Sequence, residues 1–407
     1  MNATVGEQQP VEVWPPVAYE SFDWTISHPQ TLSGTQRRKL AGPYQAAIPA
    51  LIAARPILPL SAVVRSDAEE AVAEIARFDA EVGHEILPFS GLLLRSESAA
   101  SSKIENLTAT AKAVALAELG MGKGKGTNAP LVVANSRAMT SAIDLAGSLN
   151  ADAIIAMQSV LLRDSAPQWT GRFRAQQVWI GGSNFGPHTA SFVPPHHSRV
   201  SAAIEDLVAF MHREDVGALI HIAVAHAQFE TIHPFEDGNG RTGRALIHAL
   251  LRARGVTRAV TVPLSAGLLT DTAGYFAALD AYRLGNLEPI VVAYTDASFA
   301  ATNNGRTLVA ELREIRSRWN DEITARSDSV VWKTADLLLR QPAIDWQLLQ
   351  RELRVTPLAG YRAIDRLVEA GVLTEVSGRR RNKAWVAPQV LAALDGFAER
   401  AGRRNRA

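Results

Sequence analysis

The chain has 407 residues, 47% apolar and 20% charged, and its 42 Lys and Arg against 41 Asp and Glu leave a net charge of +1. That balance excludes low-complexity disorder and gives no bulk electrostatic reason for an anionic membrane partner. At ~100–200 residues per domain, the length calls for two or three domains. Cysteine is absent, which removes disulfides, thiol nucleophiles and Cys-based metal sites and fits a reducing compartment. Residues 1–17 are polar, with Pro10, Pro15 and Pro16, and do not read as a secretory leader. The longest apolar stretch, 216–229, is interrupted by His221, His226 and Gln228, so no membrane span is expected. The expectation is a soluble, cytoplasmic protein.

Ala and Leu dominate and alternating β-branched runs are few, so most of the chain reads as helix. Residues 66–82 place Ala71, Val72, Ile75 and Phe78 at helical spacing behind a capping serine. The Gly- and Lys-rich stretch 120–127 reads as an exposed loop, because it lacks the glycine spacing of a phosphate-binding loop. Residues 135–162 read as two helices. Two short extended runs, 173–180 and 191–195, then flank a Gly-Asn-rich turn and predict a hairpin, stopped by Pro194 and Pro195. His188, His196 and His197 nearby read as surface side chains rather than metal ligands. Helical patterning returns from 201 to about 253 and breaks once, at 233–240. A charged helix at 308–326 is expected to link two units. Short amphipathic helices follow at 331–339, 345–353 and 357–370. Strand-like runs at 373–376 and 384–386 surround the turn Ser377-Gly378. Three helices with a two-stranded wing form the winged helix-turn-helix pattern.

The stretch richest in chemistry is HPFEDGNGRTGR, residues 233–244. A Gly-rich turn opening a helix offers backbone N–H groups and the positive end of the helix dipole, which suits phosphate. Arg241 and Arg244 stand three residues apart and so share one face near that terminus. Two guanidinium forks beside an anion-binding turn suit a polyphosphate better than a single carboxylate. Asp237 can hold Mg²⁺, which takes one or two carboxylates and completes its shell with phosphate oxygens and water. His233, at the edge of the loop, can take a proton from an attacking hydroxyl. Each piece alone has an ordinary structural reading as a cap, a turn or a solvated face. The ordered set within twelve residues points to a phosphate-transfer site.

These residues resemble the Fic family, whose motif His-Pro-Phe-x-Asp/Glu-Gly-Asn-Gly-Arg-x-x-Arg is matched at every specified position by 233–244. AHAQFETIHPF leading into it, and FRAQQVWIGGSNFGPHTASFVPP upstream, also look like that family, the latter like its flap hairpin. The resemblance runs from about residue 94 to 300. It implies a mainly α protein, a Fic helical core with a β-hairpin flap, followed by the winged helix-turn-helix. It implies transfer of AMP from ATP to a Ser, Thr or Tyr hydroxyl of a target protein. By position, His233 would be the general base and Phe235 would plug the core. Asp237 would hold Mg²⁺ bridging the α- and β-phosphates. Asn239 and the backbone of Gly238 and Gly240 would form the anion hole. Arg241 would hold the β-phosphate side and Arg244 the γ-phosphate. The flap would dock a target segment by edge pairing, with Val178 and Ile180 as contact positions.

Upstream, Ser101-x-x-x-Glu105-Asn106 reads on its own as a helix N-terminus capped by Ser101 or Ser102. Beside a Fic-like core it resembles the inhibitory motif Ser/Thr-x-x-x-Glu-Gly/Asn. This implies that Glu105 pairs with Arg244 and blocks the γ-phosphate position. The same resemblance leaves two enzyme alternatives open: removal of AMP, and a donor other than ATP.

At the C-terminal end, Tyr361, Arg362 and Arg366 on the expected recognition helix are candidate DNA contacts. So are Arg379, Arg380 and Arg381 with Lys383 on the wing, and Arg400, Arg403, Arg404 and Arg406 follow. A DNA-binding regulator with a nucleotide-sensing core is therefore the alternative from another class. The expected division is a helical region at 1–130 with its inhibitory segment at 101–106, then a core at 131–305 with flap 172–195. A linker helix at 306–327 and a winged helix with a basic tail at 328–407 complete it. Helix-rich members of the family are often homodimers, the sole ground for expecting a homodimer here.

Overall fold

The computed structural model describes residues 14–26, 32–56, 60–84, 89–121, 127–376 and 383–403. It is mainly helical. An antiparallel pair near the start, β1 (Ala18–Phe22) and β2 (Tyr44–Ile48), brackets a short helix, α1 (Gly34–Lys39). Helix α2 (Ala62–Gly83) starts four residues earlier than the apolar spacing predicts, because Ser61 caps it by accepting from the Val64 N–H. Then come α3 (Ser90–Ile104), α4 (Ala111–Glu118), α5 (Ala129–Asp144), α6 (Ala151–Leu162) and α7 (Val200–Met211). The centre is α8 (Ala218–Ile232), buried from Leu219 to Ile232. A helix buried on every side belongs inside a large core. It packs against α2 and α7 and against three following helices, α9 (Asn239–Ala253), α11 (Thr272–Arg283) and α12 (Glu288–Glu322). The short α10 (Leu264–Leu268) lies against α12 and α3.

The charged helix expected at 308–326 is the second half of α12, which runs unbroken for 35 residues. Its buried residues recur along the whole length, from Ile290 to Trp319. Tertiary packing therefore carries the helix across the expected boundary. The chain continues through α13 (Val330–Leu338), β3 (Ala343–Asp345), α14 (Trp346–Leu353), α15 (Pro357–Glu369), β4 (Thr374–Glu375) and β5 (Ala384–Val386). The strands form one antiparallel sheet in the order β3-β5-β4. Asp345 caps α14 and Thr356 caps α15. The last helix, α16 (Pro388–Ala401), returns to α12, α3 and α4. One hydrophobic cluster runs from Trp14 through α8 to Phe397. The pattern at 373–386 anticipates two strands but not β3, whose three residues are too short to show alternation. Stretch 122–126, with most of the Gly-Lys loop, lies outside the described residues, as do Arg379, Arg380, Arg381, Arg404 and Arg406.

The hairpin expected at 172–195 is reduced to a single antiparallel bridge, Ile180 with Phe192. Side chains hold the rest. Trp179 Nε1 donates to Ser183 O at 2.8 Å, and Gln177 Nε2 donates to Val178 O and Pro194 O at 2.9 Å. A segment carrying Pro187, Pro194 and Pro195 loses ladder donors, so a longer two-stranded register does not form.

Candidate active site

Helix α8 stops at His233, whose φ of 49° and ψ of 63° place it in the left-handed region while its N–H still donates to Phe229 O at 2.9 Å. This left-handed cap turns the chain sharply. It leaves the imidazole one-fifth exposed on the wall of a cleft, with Nδ1 3.7 Å from a Glu230 carboxylate oxygen. Phe235 plugs the core beneath, fully buried against Phe173 and Phe229. The loop is then closed by Asn239. Its side chain accepts from Phe235 N–H and donates to Phe235 O, both at 2.9 Å. The Asn239 side-chain amide is thus engaged by the loop. The Gly238 N–H is also engaged, donating to Asp237 Oδ1 at 2.7 Å. What remains for an anion is the first turn of α9, whose leading N–H groups have no partner within the helix. Gly238, at φ 81°, makes the entry turn that L side chains rarely adopt, and an added Cβ would stand 2.9 Å from Leu161.

Helix α3 delivers the opposing charge. Ser101 and Ser102 lie in its last turn rather than its first, so their reading as N-terminal caps is overturned. The helix ends in a Schellman stop. Asn106 N–H donates to Lys103 O and Leu107 N–H donates to Ser102 O, with Asn106 left-handed at φ 61°. Few side chains other than Asn tolerate that φ. Glu105 N–H is drawn to Ser102 O, so Ser101 O is left for another donor. Arg244 takes it: Nη2 donates to Ser101 O and Nε to Ser101 Oγ, both at 2.9 Å. The Glu105 carboxylate is gripped by both guanidiniums, Oε1 by Arg244 at 2.7 Å and Oε2 by Arg241 at 2.8 Å. The sequence reading anticipated only the Arg244 half. Gly240 makes room, since a Cβ there would stand 2.5 Å from Glu105 Oε1. Helix α3 is itself fixed from behind. Buried Glu97 accepts from His248 Nε2 at 2.9 Å and from Ser265 N–H at 2.8 Å.

Burial works against the charge of Arg244, but Glu105, Tyr275 and Glu230 around it outweigh that and raise its pKa. Burial would also raise Glu230. His233, His226 and Arg244 overcome it and hold the carboxyl at about 2. His226, fully buried with Nε2 at 2.7 Å from the Tyr275 hydroxyl, is pushed down to about 4 by burial. Arg174 closes the base of the flap. Its Nε donates to His233 O at 2.8 Å, Nη1 to Gln176 O at 3.0 Å and Nη2 to Pro195 O at 2.5 Å. Burial lowers it to about 10.

The cleft between flap, loop and α11 has a volume of about 440 Å³, the range of small-molecule sites. His233, Asp237, Gly238, Asn239, Gly240, Arg244, Glu105 and Ile180 all line it, whereas Val178 does not. Arg283 lies 3.8 Å above the Phe192 ring on its far side. Sequence reasoning missed Glu230, Arg174, Glu97 and His248. Glu230, one helical turn before His233, is the one that spacing alone could have marked. Two features point to an anionic ligand with a divalent ion. Arg241 Nη1 is buried without a hydrogen-bond partner. The Asp237 carboxylate is about half exposed, and no cluster of three or more acidic or imidazole side chains exists among the described residues to cage a metal on its own. A donor set of one carboxylate fits Mg²⁺ shared with phosphate oxygens.

Fold and site together define a helical protein in which a Gly-rich loop and two buried arginines form an anion cradle that a carboxylate from the same chain occupies. Residues 148–251 match the Fic/DOC family, so the middle of the chain carries a domain similar to that family. It is 30% identical over 146 residues to protein adenylyltransferase fic-1 of Caenorhabditis elegans, covering 35% of this chain and 26% of that one. It is 27% identical over 168 residues to protein adenylyltransferase Fic of Nematostella vectensis, covering 40% and 34%. The chain thus spans about a quarter to a third of the length of these relatives. The crystal structure of a Fic family protein from Desulfovibrio desulfuricans G20 covers 82% of this chain and 98% of its own, at 19% identity and a TM-score of 0.50, a likeness of fold. No helix among the described residues is long and apolar enough to cross a membrane.

Proposed function

We propose that this protein is an autoinhibited adenylyltransferase that moves AMP from ATP to a hydroxyl side chain of a target protein. The observation that carries the reading is the grip of Arg241 and Arg244 on Glu105 at the mouth of the cleft. Two buried guanidinium forks at a helix N-terminus form a polyphosphate site, and an internal carboxylate fills it. His233, on the cleft wall beside Glu230, would take the proton of the attacking hydroxyl. Arg241 and Arg244 would neutralise the β- and γ-phosphates once Glu105 leaves. The first-turn amides of α9 would hold the non-bridging oxygens. Asp237 would hold Mg²⁺, which supplies charge neutralisation for the departing pyrophosphate. In-line transfer asks for such positioning more than for covalent chemistry from the protein. Ile180, with its backbone already bridged to Phe192, would align the target segment at the cleft edge.

The test uses wild type, Glu105→Gly, and Glu105→Gly with His233→Ala, each incubated with labelled ATP and Mg²⁺ and read by intact mass. An AMP increment in Glu105→Gly that is weak in wild type and lost in the double variant supports the reading. ATP binding without label in Glu105→Gly moves AMP removal or another donor to the front.

A second reading rests on α15, where Arg362 and Arg366 are exposed. We propose this face as a DNA contact. Among the described residues, part of its basic neighbourhood is already paired. Arg400 is paired with Glu311 and Asn304 on α12, Lys383 pairs with Glu375, and Arg366 stands 3.5 Å from Glu369.

A further inference from the structure

Behind the helix that carries Glu105 lies a second cleft, of about 180 Å³, enclosed by α3, the α4 end and α16. Its walls are largely apolar, with Ala99, Val114, Leu269, Leu394 and Phe397 among them. One polar atom in the wall is out of place. Ser96 Oγ is buried, in a residue 6% exposed, and has no hydrogen-bond partner. A serine within a helix ordinarily returns its hydroxyl to the carbonyl four residues back. Ser98 does so to Leu94 O at 2.8 Å and Ser102 to Ser98 O at 2.9 Å, on the same helix. Ser96 does not, and a buried hydroxyl without a partner is costly.

The charged groups in the wall are already engaged. Arg95 pairs with Glu118 at 2.7 Å and also donates to Arg340 O and Gln341. Asp395 accepts from Ala111 N–H at 3.0 Å, and Lys103 Nζ donates to Ala398 O at 3.4 Å. The cleft therefore favours an uncharged ligand. An apolar cavity of ~150 Å³ holds a benzene ring, so a single ring with one polar substituent matches the size.

We propose that this cleft binds a small uncharged molecule of aromatic size carrying one hydroxyl or carbonyl, which Ser96 meets. Occupancy alters how α3 presents Ser101 and Glu105 to Arg244. The binding half stands on the cleft alone, and the consequence for the brake rests on the transferase reading above. One wall of the cleft is the face of α3 from Arg95 to Lys103, within a helical turn of Ser101 and Glu105. A molecule seated there packs against that face of α3, one turn from both residues.

The experiment titrates the full chain with phenol, toluene and benzoate by calorimetry, with thermal unfolding as a check on folding. Phenol is expected to bind saturably. Ser96→Ala should weaken phenol about five- to tenfold, the scale of one hydrogen bond, and leave toluene unchanged. Ala398→Phe at the exposed rim and Ala99→Leu on α3 should abolish both in folded protein. Benzoate should bind at least tenfold more weakly than phenol. Absence of saturable phenol binding, or binding unmoved in both filling variants, overturns the site. Benzoate binding as tightly as phenol overturns the uncharged class. Hydrogen exchange at amides 102–107 should change rate on saturation with phenol; unchanged exchange overturns the coupling. None of these readouts needs transfer of AMP, so failure of the site and failure of the transferase reading are separable.

Discussion

Replacing Glu105 by Gly removes the anion from between two buried cations. Arg241 is 4% exposed and Arg244 2%, and each donates one charge-assisted hydrogen bond to Glu105. Breaking a buried ion pair by deleting one partner costs about 3–5 kcal/mol. The Glu105 side chain is 28% exposed, and Arg244 keeps both of its bonds to Ser101. The low end, about 3 kcal/mol, is therefore the better figure. On the proposed reading the same energy opposes ATP in wild type, because the γ-phosphate would have to displace Glu105 from the same forks. Glu105→Gly should then lower the melting temperature of the unliganded protein by a few degrees. It should also tighten ATP binding by up to ~100-fold, since each 1.4 kcal/mol is about tenfold. Glu105→Gln, which keeps an acceptor but loses the charge, should fall between. Calorimetric titration with ATP and Mg²⁺, with melting curves for each form, reads both effects. If Glu105→Gly melts with wild type and binds ATP no more tightly, the carboxylate is not the brake.

Ser101→Ala removes one of Arg244's three hydrogen bonds to α3 and Glu105 and leaves the carbonyl, so self-labelling should rise above wild type yet stay about tenfold below Glu105→Gly by intact mass. Asn239→Ala strands the buried N–H and C=O of Phe235 at ~1–3 kcal/mol each. It should depress both melting temperature and labelling in the Glu105→Gly background, and equal stability to the parent would refute the loop-closing role. His226 has a folded pKa of about 4 against ~6.5 unfolded. Between these values the unfolded chain binds more protons, so stability falls as pH drops from about 6.5 to about 4. Denaturant titrations across that window should show a shallower decline in His226→Gln, and an unchanged slope would place the effect elsewhere. The proposed DNA contact predicts salt-dependent binding of duplex DNA that weakens severalfold in Arg362→Ala with Arg366→Ala; no binding at low salt removes it.

The sequence determined the parts of this protein whose physics is local. Residues 233–244 state their own geometry: glycines where the chain must turn, arginines three apart on one helix face, and Asn239 within reach of Phe235. The helices at α5, α6, α13, α14 and α15 were legible for the same reason, since caps and apolar spacing act within a few residues. Asn106 was legible as part of a motif, but its reason, the left-handed residue of a Schellman stop, needs the end of α3 to be seen. Tertiary structure decided what depends on distant partners. It set Glu105 between Arg241 and Arg244, 136 and 139 residues away along the chain. It joined the expected linker to α12 because the core continues beneath it, and reduced the flap to one bridge held by side chains. It also paired Arg400 with Glu311 on α12. Spacing in a sequence reports which residues can share a face; only packing decides which buried charge meets which, because an ion pair taken out of water is settled by every group around it.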